Sequence, residues 1–417
     1  MTNQPPSRIR LEEPNRLQAT MTFAVPDDAI PSTHAARVIW NVIGTLDLSK
    51  FLIGVKSVEG SVGRKTKSPQ MKLGLWLYAI TQGVGSARRI AELVRSDVAY
   101  RWIVGDVSIG HHTLSSFRVD HGTALEQLMT DIIASLIHKG VLSLDVVAQD
   151  GIRIRAAATA PSFRGLPSLL ECREQAALHL KATLAQADDP ELTRAQKACR
   201  ETAALDFQRR IEEAISTVIE LHAKRSPSEK PARASTTDAE ARVMKMADGG
   251  FRPAYNVQMA TAGSPLGGPR TIVGVRVTNV GSDMGSVTPM LEQIEQRTGR
   301  LPKALLADAN HAKHECIRAA TEKGVEVLIA VPKREAKQGP NVNSEQAIAA
   351  WRARMETEEA KTLYRARASL CELSNAHLRT HHGVDNFFVR GIAKVTCVAL
   401  LAGVAANILQ HSAALLA

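Results

Sequence analysis

The sequence has few cysteines and no closely spaced pair of them. The five cysteines are scattered and odd in number: Cys172, Cys199, Cys316, Cys371 and Cys397. A disulfide framework and a thiolate zinc site both need cysteines in a closely spaced pattern such as CxxC. The cysteine pattern therefore argues against both classes and indicates a reducing, cytoplasmic compartment.

Long hydrophobic runs are also scarce. The N-terminus is polar and lacks a charged segment followed by an apolar core, so no secretory signal is predicted. The most apolar stretch, residues 395–416, contains Thr396, Gly403 and Asn407, and its uninterrupted part is too short to cross a membrane. We expect a buried helix there and no membrane partner.

The composition is that of a globular protein with a basic surface. A chain of 417 residues with 44% hydrophobic and 23% charged residues is long enough for two or three folded domains. The formal net charge of +10 favours a polyanionic partner, because clustered Lys and Arg displace counterions from phosphates. Charge alone does not distinguish nucleic acid from an acidic membrane surface.

The first third of the chain is predicted to be helical. Residues 1–33 contain several prolines and are expected to form an extended arm. Helical periodicity then predicts an all-helical domain over 34–140, with helices at 35–43, 69–81, 86–94, 113–118 and 124–137. Its scattered Arg and Lys side chains would allow a helix to dock on DNA, although the spacing identifies no recognition helix.

Strand-like runs begin after residue 141. They are expected at 142–149, 254–260, 271–277, 304–307 and 325–331, with helices at 287–297 and 312–323 between the later ones. Two amphipathic helices at 169–185 and 192–224 separate the first two strands and suggest a helical hairpin inserted at about 166–230. This order predicts a mixed α/β sheet with helices on both faces.

A long helix over residues 343–382 is predicted to follow the last strand. No proline or glycine occurs between Pro340 and Gly383, and residues 343–346 resemble a helix-capping box. Helical spacing gives one apolar stripe and one polar stripe: Leu363, Ala366, Leu370 and Leu373 in the first, and Arg365, Ala368, Glu372, Asn375 and Arg379 in the second. The polar stripe is equally consistent with a solvated basic face that carries one carboxylate.

Two further carboxylates are expected at the ends of strands. Asp150 and Asp308 each follow an apolar run, and ligands of open α/β sheets bind beyond the carboxyl ends of the strands. An Asp-Gly pair such as Asp150-Gly151 is also typical of a simple turn. With Glu372 they would supply three oxygen ligands, which suit two Mg²⁺ or Mn²⁺ ions better than zinc. The rival carboxylates are Asp145, Asp283, Glu358 and Glu359, and His311 follows Asp308 closely enough to approach the same site.

Several motifs together resemble the DDE transposases of bacterial insertion sequences. The motifs are Gln149-Asp150-Gly151, residues 306–310, residues 235–258, residues 99–105 and 113–118 in the helical part, and the set Tyr364, Arg367, Glu372 and Arg379. That last set is similar to the Tyr-Arg-Glu-Lys signature of the family. Arg379 stands where the family usually has Lys, and Glu372 follows Arg367 at a spacing one residue longer than in the best-known branch.

The resemblance implies a fold and a set of roles. The expected fold is a ribonuclease-H-like α/β catalytic domain over 141–417, in which a mixed sheet is flanked by helices, preceded by a helical domain that binds DNA ends. Asp150, Asp308 and Glu372 would be the catalytic and metal-binding residues for Mg²⁺ or Mn²⁺, and Tyr364, Arg367 and Arg379 would bind DNA. The implied protein is a cytoplasmic, nucleoid-associated homodimer on terminal inverted repeats and target DNA.

The implied activity is hydrolysis of phosphodiester bonds at the ends of the element and transfer of the freed 3′-hydroxyl to target DNA. Two alternatives stay open at this point. One is a metal-dependent nuclease on the same core that performs no strand transfer. The other is a catalytically inactive, DNA-binding derivative of a transposase.

Overall fold

A computed structural model describes residues 25–59, 65–186, 189–226, 230–332, 346–380 and 385–417 of the chain. The part that it describes is a mixed α/β structure whose first third is helical. Most of the expected arm, residues 1–24, lies outside the described residues. The predicted cap of the long helix at residues 343–345 lies outside them as well.

The regular structure of the described residues between 35 and 138 is helical. The α-helices are α1 (Ala35–Gly44), α2 (Pro69–Thr81), α3 (Ala87–Ser96), α4 (Val98–Val104), α5 (His111–Asp120) and α6 (Gly122–His138). Five of these confirm the predicted helices, and α4 was not predicted. The Asp97 side chain caps α4 by accepting from the backbone N–H groups of Ala99 and Tyr100, and Gly105 ends it at φ 50°. Its seven residues are too few to show a helical period.

The strands form one main sheet and a separate two-stranded pair. Their bounds are β1 (Val146–Arg155), β2 (Phe163–Arg164), β3 (Ala234–Ser235), β4 (Arg242–Lys245), β5 (Phe251–Gly263), β6 (Arg270–Thr278), β7 (Ala304–Ala307) and β8 (Glu326–Ile329). The main sheet has the order β4–β5–β1–β7–β8, with β6 also paired to β5, and β2 pairs with β3. Strands β1, β7 and β8 are parallel, whereas β4, β5 and β6 are antiparallel to their neighbours, so the predicted mixed sheet and the 254–277 hairpin are confirmed.

Strand β1 is longer than expected. Its pairing with β5 continues without a break from Val147 to Arg155, and Asp150 lies opposite Met259 within that ladder. The prediction that the strand ends at Asp150 is therefore wrong, and so is the alternative of a simple turn there. Since Gly151 stays in the ladder opposite Gln258, it does not act as a turn residue.

Helices cover both faces of the sheet. They are α9 (Val287–Thr298) and α10 (His314–Glu322), followed by α11 (Gln346–Glu356), α12 (Glu358–Arg367) and α13 (Leu373–Thr380). The last three replace the single long helix that was predicted. Thr357 starts a new helix by accepting from the N–H of Ala360, and a π-helical turn over Ala368–Glu372 separates α12 from α13. One cluster of buried side chains lies between the sheet and α12, and it includes Ala148, Leu306 and Leu370.

Two long helices lie between β1 and β4 in the chain. They are α7 (Leu166–Ala185) and α8 (Arg194–Ala223), close to the predicted bounds. A separate apolar cluster, which includes Leu169, Ala176 and Ile211, lies between them. Thr193 begins α8 with a complete capping box to Gln196.

The last helix, α14 (Ile392–Leu416), is the most buried of the long helices. It packs against α1, α2, α5 and α6 on one side and against β6 on the other. Asn407 accepts from the N–H of Ile272 and donates to the carbonyl of the same residue, both at 2.8 Å, which satisfies the backbone of this residue on the free edge of β6. By length and composition α14 could cross a membrane, but 61% of its most apolar window is buried within the protein, so the predicted buried helix is confirmed.

Candidate active site

Asp150 and Asp308 lie beside each other on neighbouring parallel strands. The register pairs Ala148 of β1 with Leu306 of β7. Two residues further along the chain from each of these, Asp150 and Asp308 therefore lie side by side. Alternation along a strand places both on the face that carries Val146, Ala148, Ala304 and Leu306. Asp150 is within β1, and Asp308 immediately follows β7, as predicted. Both carboxylates are partly buried.

The environment of Asp150 disfavours its ionised form. Burial raises the pKa of Asp150, and the nearby negative charge of Asp308 adds to the rise. The N–H of Gly151, which donates to Asp150 Oδ1 at 2.9 Å, and the charge of Arg367 offset only part of this effect. An additional positive charge at this position would therefore stabilise the ionised carboxylate.

Asp308 is held by the turn that follows it. Burial would raise its pKa, but hydrogen bonds from His311 and Asn310 outweigh burial and leave the pKa of Asp308 lowered. His311 Nδ1 lies 2.5 Å from Asp308 Oδ1, and Asn310 donates to the carboxylate from both its backbone and its side chain. Asp308 therefore stays ionised to lower pH than an ordinary aspartate.

A buried hydrogen-bond network connects Asp308 to the middle of the sheet. The fully buried His311 ring places Nε2 3.1 Å from Gln258 Oε1, which also accepts from Gln149 Nε2 at 3.0 Å. Gln258 Nε2 in turn donates to Asp283 Oδ1 at 2.6 Å. The orientation of Asp308 is thus coupled to residues on β5 and β1 and to the segment before α9.

Asp283 is the anchor of this network. Its carboxylate is almost completely buried, and it accepts from Asn256, Gln258 and Arg153 at 2.6–2.8 Å. Those three donors occupy a carboxylate that was a rival candidate for the metal site. The other rivals are exposed and ion-paired: Asp145 with Lys303, Glu358 with Lys361, and Glu359 with Arg354.

Gly151 is required by the close approach of this network. A Cβ atom at residue 151 would lie 2.1 Å from Gln258 Nε2 and 2.5 Å from Asp283 Oδ1. No side chain fits there unless the network moves. In this motif Asp150 is the active-site candidate, and Gly151 allows the side chains of Gln258 and Asp283 to approach the backbone closely.

Glu372 is not brought beside the two aspartates. It lies in the π-helical turn, its side chain is 58% exposed, and Arg367 donates to its Oε1 at 2.9 Å. The buried Asn375 donates instead to Asp150 Oδ2 at 3.0 Å. Within the described residues, no group of three His, Cys, Asp or Glu side chains is arranged to hold a metal ion.

The expected DNA-binding side chains differ in their surroundings. Burial alone would lower the pKa of Arg367, but the neighbouring Tyr364, Asp150 and Glu372 leave it raised. Its guanidinium carbon lies 5.9 Å from the centre of the Tyr364 ring. Arg379 is exposed on α13. Tyr364 and Arg367 therefore border the aspartates, whereas Arg379 lies further along the helix.

Sequence reasoning missed several members of this site. Asn375 was placed on the polar stripe but was not connected with Asp150, and Gln258 was part of a motif without an assigned role. The contacts of Asn375 and Gln258 join residues that are 225 and 53 positions apart in the chain. Only the proximity of His311 to Asp308 in sequence gave a usable signal.

Two comparisons with known families match different parts of the chain. A family described as a transposase DDE domain matches residues 310–411, which include Glu372 but neither aspartate. A second family, described as a transposase domain (DUF772), matches residues 24–120. No curated protein and no solved structure matches the chain. Two separate segments of the chain thus match transposase families, and together they indicate a DDE transposase of an insertion sequence.

Proposed function

We propose that this DNA transposase hydrolyses phosphodiester bonds at the ends of its element and joins the freed 3′-hydroxyl to target DNA. The proposed catalytic residues are Asp150, Asp308 and Glu372. The observation that carries this proposal is the pair of aspartates on one face of parallel strands β1 and β7, in a chain of the DDE family. The corresponding proposed fold of residues 141–417 is ribonuclease-H-like, with α7 and α8 as a helical insertion.

Asp150 and Asp308 have the chemistry expected of ligands for Mg²⁺ or Mn²⁺. They are hard oxygen donors, they lie side by side, and the pKa of Asp150 is raised, so a cation there would relieve an unfavourable charge. When bound, divalent ions supply positive charge that stabilises the attacking and leaving oxygens of a phosphodiester. The role of the chain is to hold the two carboxylates in a fixed orientation.

Glu372 is proposed as the third ligand on different grounds. It falls within the segment that matches the transposase DDE domain, three residues before Asn375, which contacts Asp150. Its present partner is Arg367, and a carboxylate that changes partner from Arg367 to a cation would free that guanidinium to hold a DNA phosphate. Tyr364 and Arg379 are proposed as further DNA contacts.

The helical domain over residues 34–140 is proposed to bind the terminal inverted repeats. The match of residues 24–120 to a transposase domain supports a role in transposition, and the net charge of +10 favours DNA as partner. We further propose that the protein acts as a homodimer on DNA and is associated with the nucleoid in the cytoplasm.

A cleavage assay tests the catalytic assignment. Purified protein is incubated with DNA that carries the flanking repeats, with and without Mg²⁺, and the products are mapped by gel. Asp150→Asn, Asp308→Asn and Glu372→Gln should each abolish cleavage, because each removes a ligand charge and keeps the shape, while DNA affinity stays close to that of the wild type. Asp145→Asn, which alters an exposed aspartate paired with Lys303, is the matched control and should cleave normally.

The products also distinguish the alternatives. Joined 3′ ends in target DNA support transposition, whereas cleaved ends without joining indicate a nuclease. A lack of metal-dependent cleavage by the wild type indicates an inactive DNA-binding derivative. If one of the three substituted proteins cleaves at close to the wild-type rate, that residue is not a ligand.

A further inference from the structure

A groove separate from the two aspartates runs between the helical region and the end of β1. Its volume is about 630 Å³. Helix α5 forms one wall through Ser115 and Arg118, and the segment 386–390 with Lys394 forms the other. The floor is the stretch that follows β1, where residues 156–158 are all alanine and leave the groove open.

Among the described residues, every charged side chain that lines the groove is basic. Arg118, Arg390 and Lys394 contribute, and none of the described lining residues is an aspartate or glutamate. Arg390 and Lys394 are exposed, and hydroxyl groups of Ser115, Thr159 and Thr237 add hydrogen-bonding capacity. A lining of this kind is complementary to a phosphodiester backbone.

Arg118 is a buried cation whose hydrogen bonding is incomplete. It is only 5% exposed, its guanidinium lies 4.4 Å from the centre of the Trp76 ring, and one terminal nitrogen donates to the carbonyl of Gly85 at 2.6 Å. Its Nε has no hydrogen-bond partner, and in the described part of the chain no carboxylate pairs with it. Burial lowers its pKa to about 10, so the side chain is charged at neutral pH. A buried, unpaired charge is costly, and an anion in the groove would offset that cost.

Phe388 supplies an aromatic surface at the same place. Its neighbour Phe387 is buried against Tyr255, with ring centres 6.3 Å apart, which fixes the segment. Phe388 itself is 58% exposed, and its ring packs over Gly85, where a Cβ would lie only 3.2 Å away. An exposed ring in a basic groove is the arrangement on which unpaired bases stack, whereas the bases of a duplex present no free face.

The groove is remote from the proposed catalytic residues but lies along the same strand. Arg155, the last residue of β1, is five residues beyond Asp150, a distance of about 17 Å at roughly 3.4 Å per residue. The groove begins at the next residue. A strand within B-form duplex DNA advances that distance along the helix axis in about five nucleotides, at about 3.4 Å each.

We propose that this groove binds a single-stranded segment of the DNA substrate, with a base stacked on Phe388 and phosphates held by Arg390 and Lys394. The inference rests on the proposed function, since it adds a second contact region for the same DNA. It places an unpaired nucleotide about five positions from the bond that is cleaved.

Binding of a labelled twelve-nucleotide oligothymidylate to the full chain, in EDTA, tests the proposal by fluorescence anisotropy. Phe388→Leu should weaken binding about 5- to 140-fold, the range expected for one stacked base, and should leave the affinity for a duplex of equal length unchanged. Phe388→Trp should bind like the wild type. Phe251→Leu alters another exposed phenylalanine, which does not line the groove, and should have no effect.

The charged side chains give an independent measurement. Arg390→Ala and Lys394→Ala should each reduce the salt dependence of oligothymidylate binding by about 0.7 in log–log slope. Arg300→Ala, at an exposed arginine outside the groove, should leave the slope unchanged. Cross-linking of 4-thiothymidine DNA to the wild type should map to residues 386–390, a result that does not depend on how any variant folds.

The outcomes separate this proposal from the proposed function. The proposal would be overturned if Phe388→Leu and Phe251→Leu bound oligothymidylate with equal affinity, or if cross-links mapped only outside residues 386–390. Either result would decide against it even if the wild type cleaves DNA. Equal weakening for oligothymidylate and duplex would overturn the preference for single strands. If the wild type binds oligothymidylate and cross-links at residues 386–390 but does not cleave DNA, only the proposed function is lost.

Discussion

Asp150 and Asp308 are adjacent carboxylates whose pKa values are shifted in opposite directions. Burial and the negative charge of Asp308 raise the pKa of Asp150, whereas hydrogen bonds from His311 and Asn310 lower that of Asp308 against the effect of burial. Below the ordinary value of 3.8 the folded protein releases the Asp308 proton more readily than the unfolded chain. Above 3.8 the folded protein keeps the Asp150 proton to a higher pH than the unfolded chain does.

Linkage then gives opposite trends of stability with pH for two variants without metal. As pH rises from 3.8 through the raised pKa of Asp150, the stability that the protonated Asp150 contributes to the wild type is lost. The melting temperature of Asp150→Asn should therefore rise relative to that of the wild type over this range. Asp308 contributes stability that is fully present above 3.8 and lost as pH falls through its lowered pKa. Asp308→Asn should therefore be increasingly destabilised, relative to the wild type, as pH rises toward 3.8.

Differential scanning fluorimetry in EDTA between pH 3 and 7 provides the comparison. The informative quantity is how the difference in melting temperature between each variant and the wild type changes with pH. A hydrogen bond lost on substitution shifts that difference by the same amount at every pH. Parallel pH trends for the two variants would contradict the assigned pKa directions. Asp145→Asn should show neither trend above pH 4, because its carboxylate is exposed and its pKa is lowered by hydrogen bonds to Lys303 and Ser143.

At this scale the sequence allowed only part of the site to be predicted. Asp150 and Asp308 were selected because each follows an apolar run, and Asp308 indeed ends a strand. The partners that orient them were not predictable, because Gln258, Asp283 and Asn375 reach the site through strand register and helix packing between distant segments. Periodicity describes which face of an element a residue occupies, but not which distant side chain it meets.

The segment after β8 shows how one extra residue changes an element. An unbroken helix over residues 343–382 was predicted because that stretch contains neither proline nor glycine, but Thr357 caps a new helix and Ala368–Glu372 form a π-helical turn. The resemblance had already shown that the spacing from Arg367 to Glu372 is one residue longer than in the best-known branch. A π turn accommodates one additional residue and rotates the residues that follow. Stripes drawn at 3.6 residues per turn therefore lose their register at Glu372, and Asn375 faces Asp150.

The free edge of β6 gives a prediction at the scale of the element. Asn407→Leu removes the side chain that pairs with both backbone groups of Ile272, and each buried group left unsatisfied costs about 1–3 kcal/mol. Because two groups are left unsatisfied, we expect the free energy of unfolding to fall by about 2–6 kcal/mol. Aggregation should increase, since this uncovered part of the edge can pair with another chain.

Chemical denaturation and light scattering would measure the two effects. Gln410→Leu makes the same kind of change at an exposed position of α14 and should alter stability by less than about 0.5 kcal/mol. Similar stabilities for Asn407→Leu and Gln410→Leu would show that the edge of β6 is satisfied without the amide.

At the scale of the whole molecule, α14 unites the two regions that were predicted as separate domains. It packs against α1, α2, α5 and α6 as well as β6, and Arg297 of α9 also pairs with Glu126 of α6. Composition and periodicity indicated a helical region followed by an α/β region. They gave no indication that a helix about 250 residues downstream of α6 completes the core of the first region.

We therefore expect both regions to unfold in one transition. Gly403 lies where α14 passes between Met129 of α6 and Val275 of β6, and a Cβ at residue 403 would lie 3.3 Å from each. Gly403→Val should lower the unfolding midpoint of both regions equally, by overpacking that costs about 1–3 kcal/mol.

Hydrogen exchange during denaturant titration, followed by mass spectrometry, reports on each region separately. Peptides from α2 and from β1 should lose protection at the same denaturant concentration in the wild type and in Gly403→Val. Ala413→Val, at an exposed position of the same helix, should leave the midpoint unchanged. Two separate midpoints in the wild type would show that the regions fold independently.

The position of α14 in the chain also sets an order of events during synthesis. The helices that it covers are complete by residue 138, but α14 is not translated until residues 392–416. At about 5–20 residues per second, the interval is roughly 13 to 50 seconds. During that time the apolar faces of α1, α2 and α6 that α14 covers in the folded protein stay exposed in the ribosome-bound chain. Nascent chains of this protein should accordingly depend on ribosome-associated chaperones, and a ribosome stalled before residue 392 should present a protease-sensitive helical region.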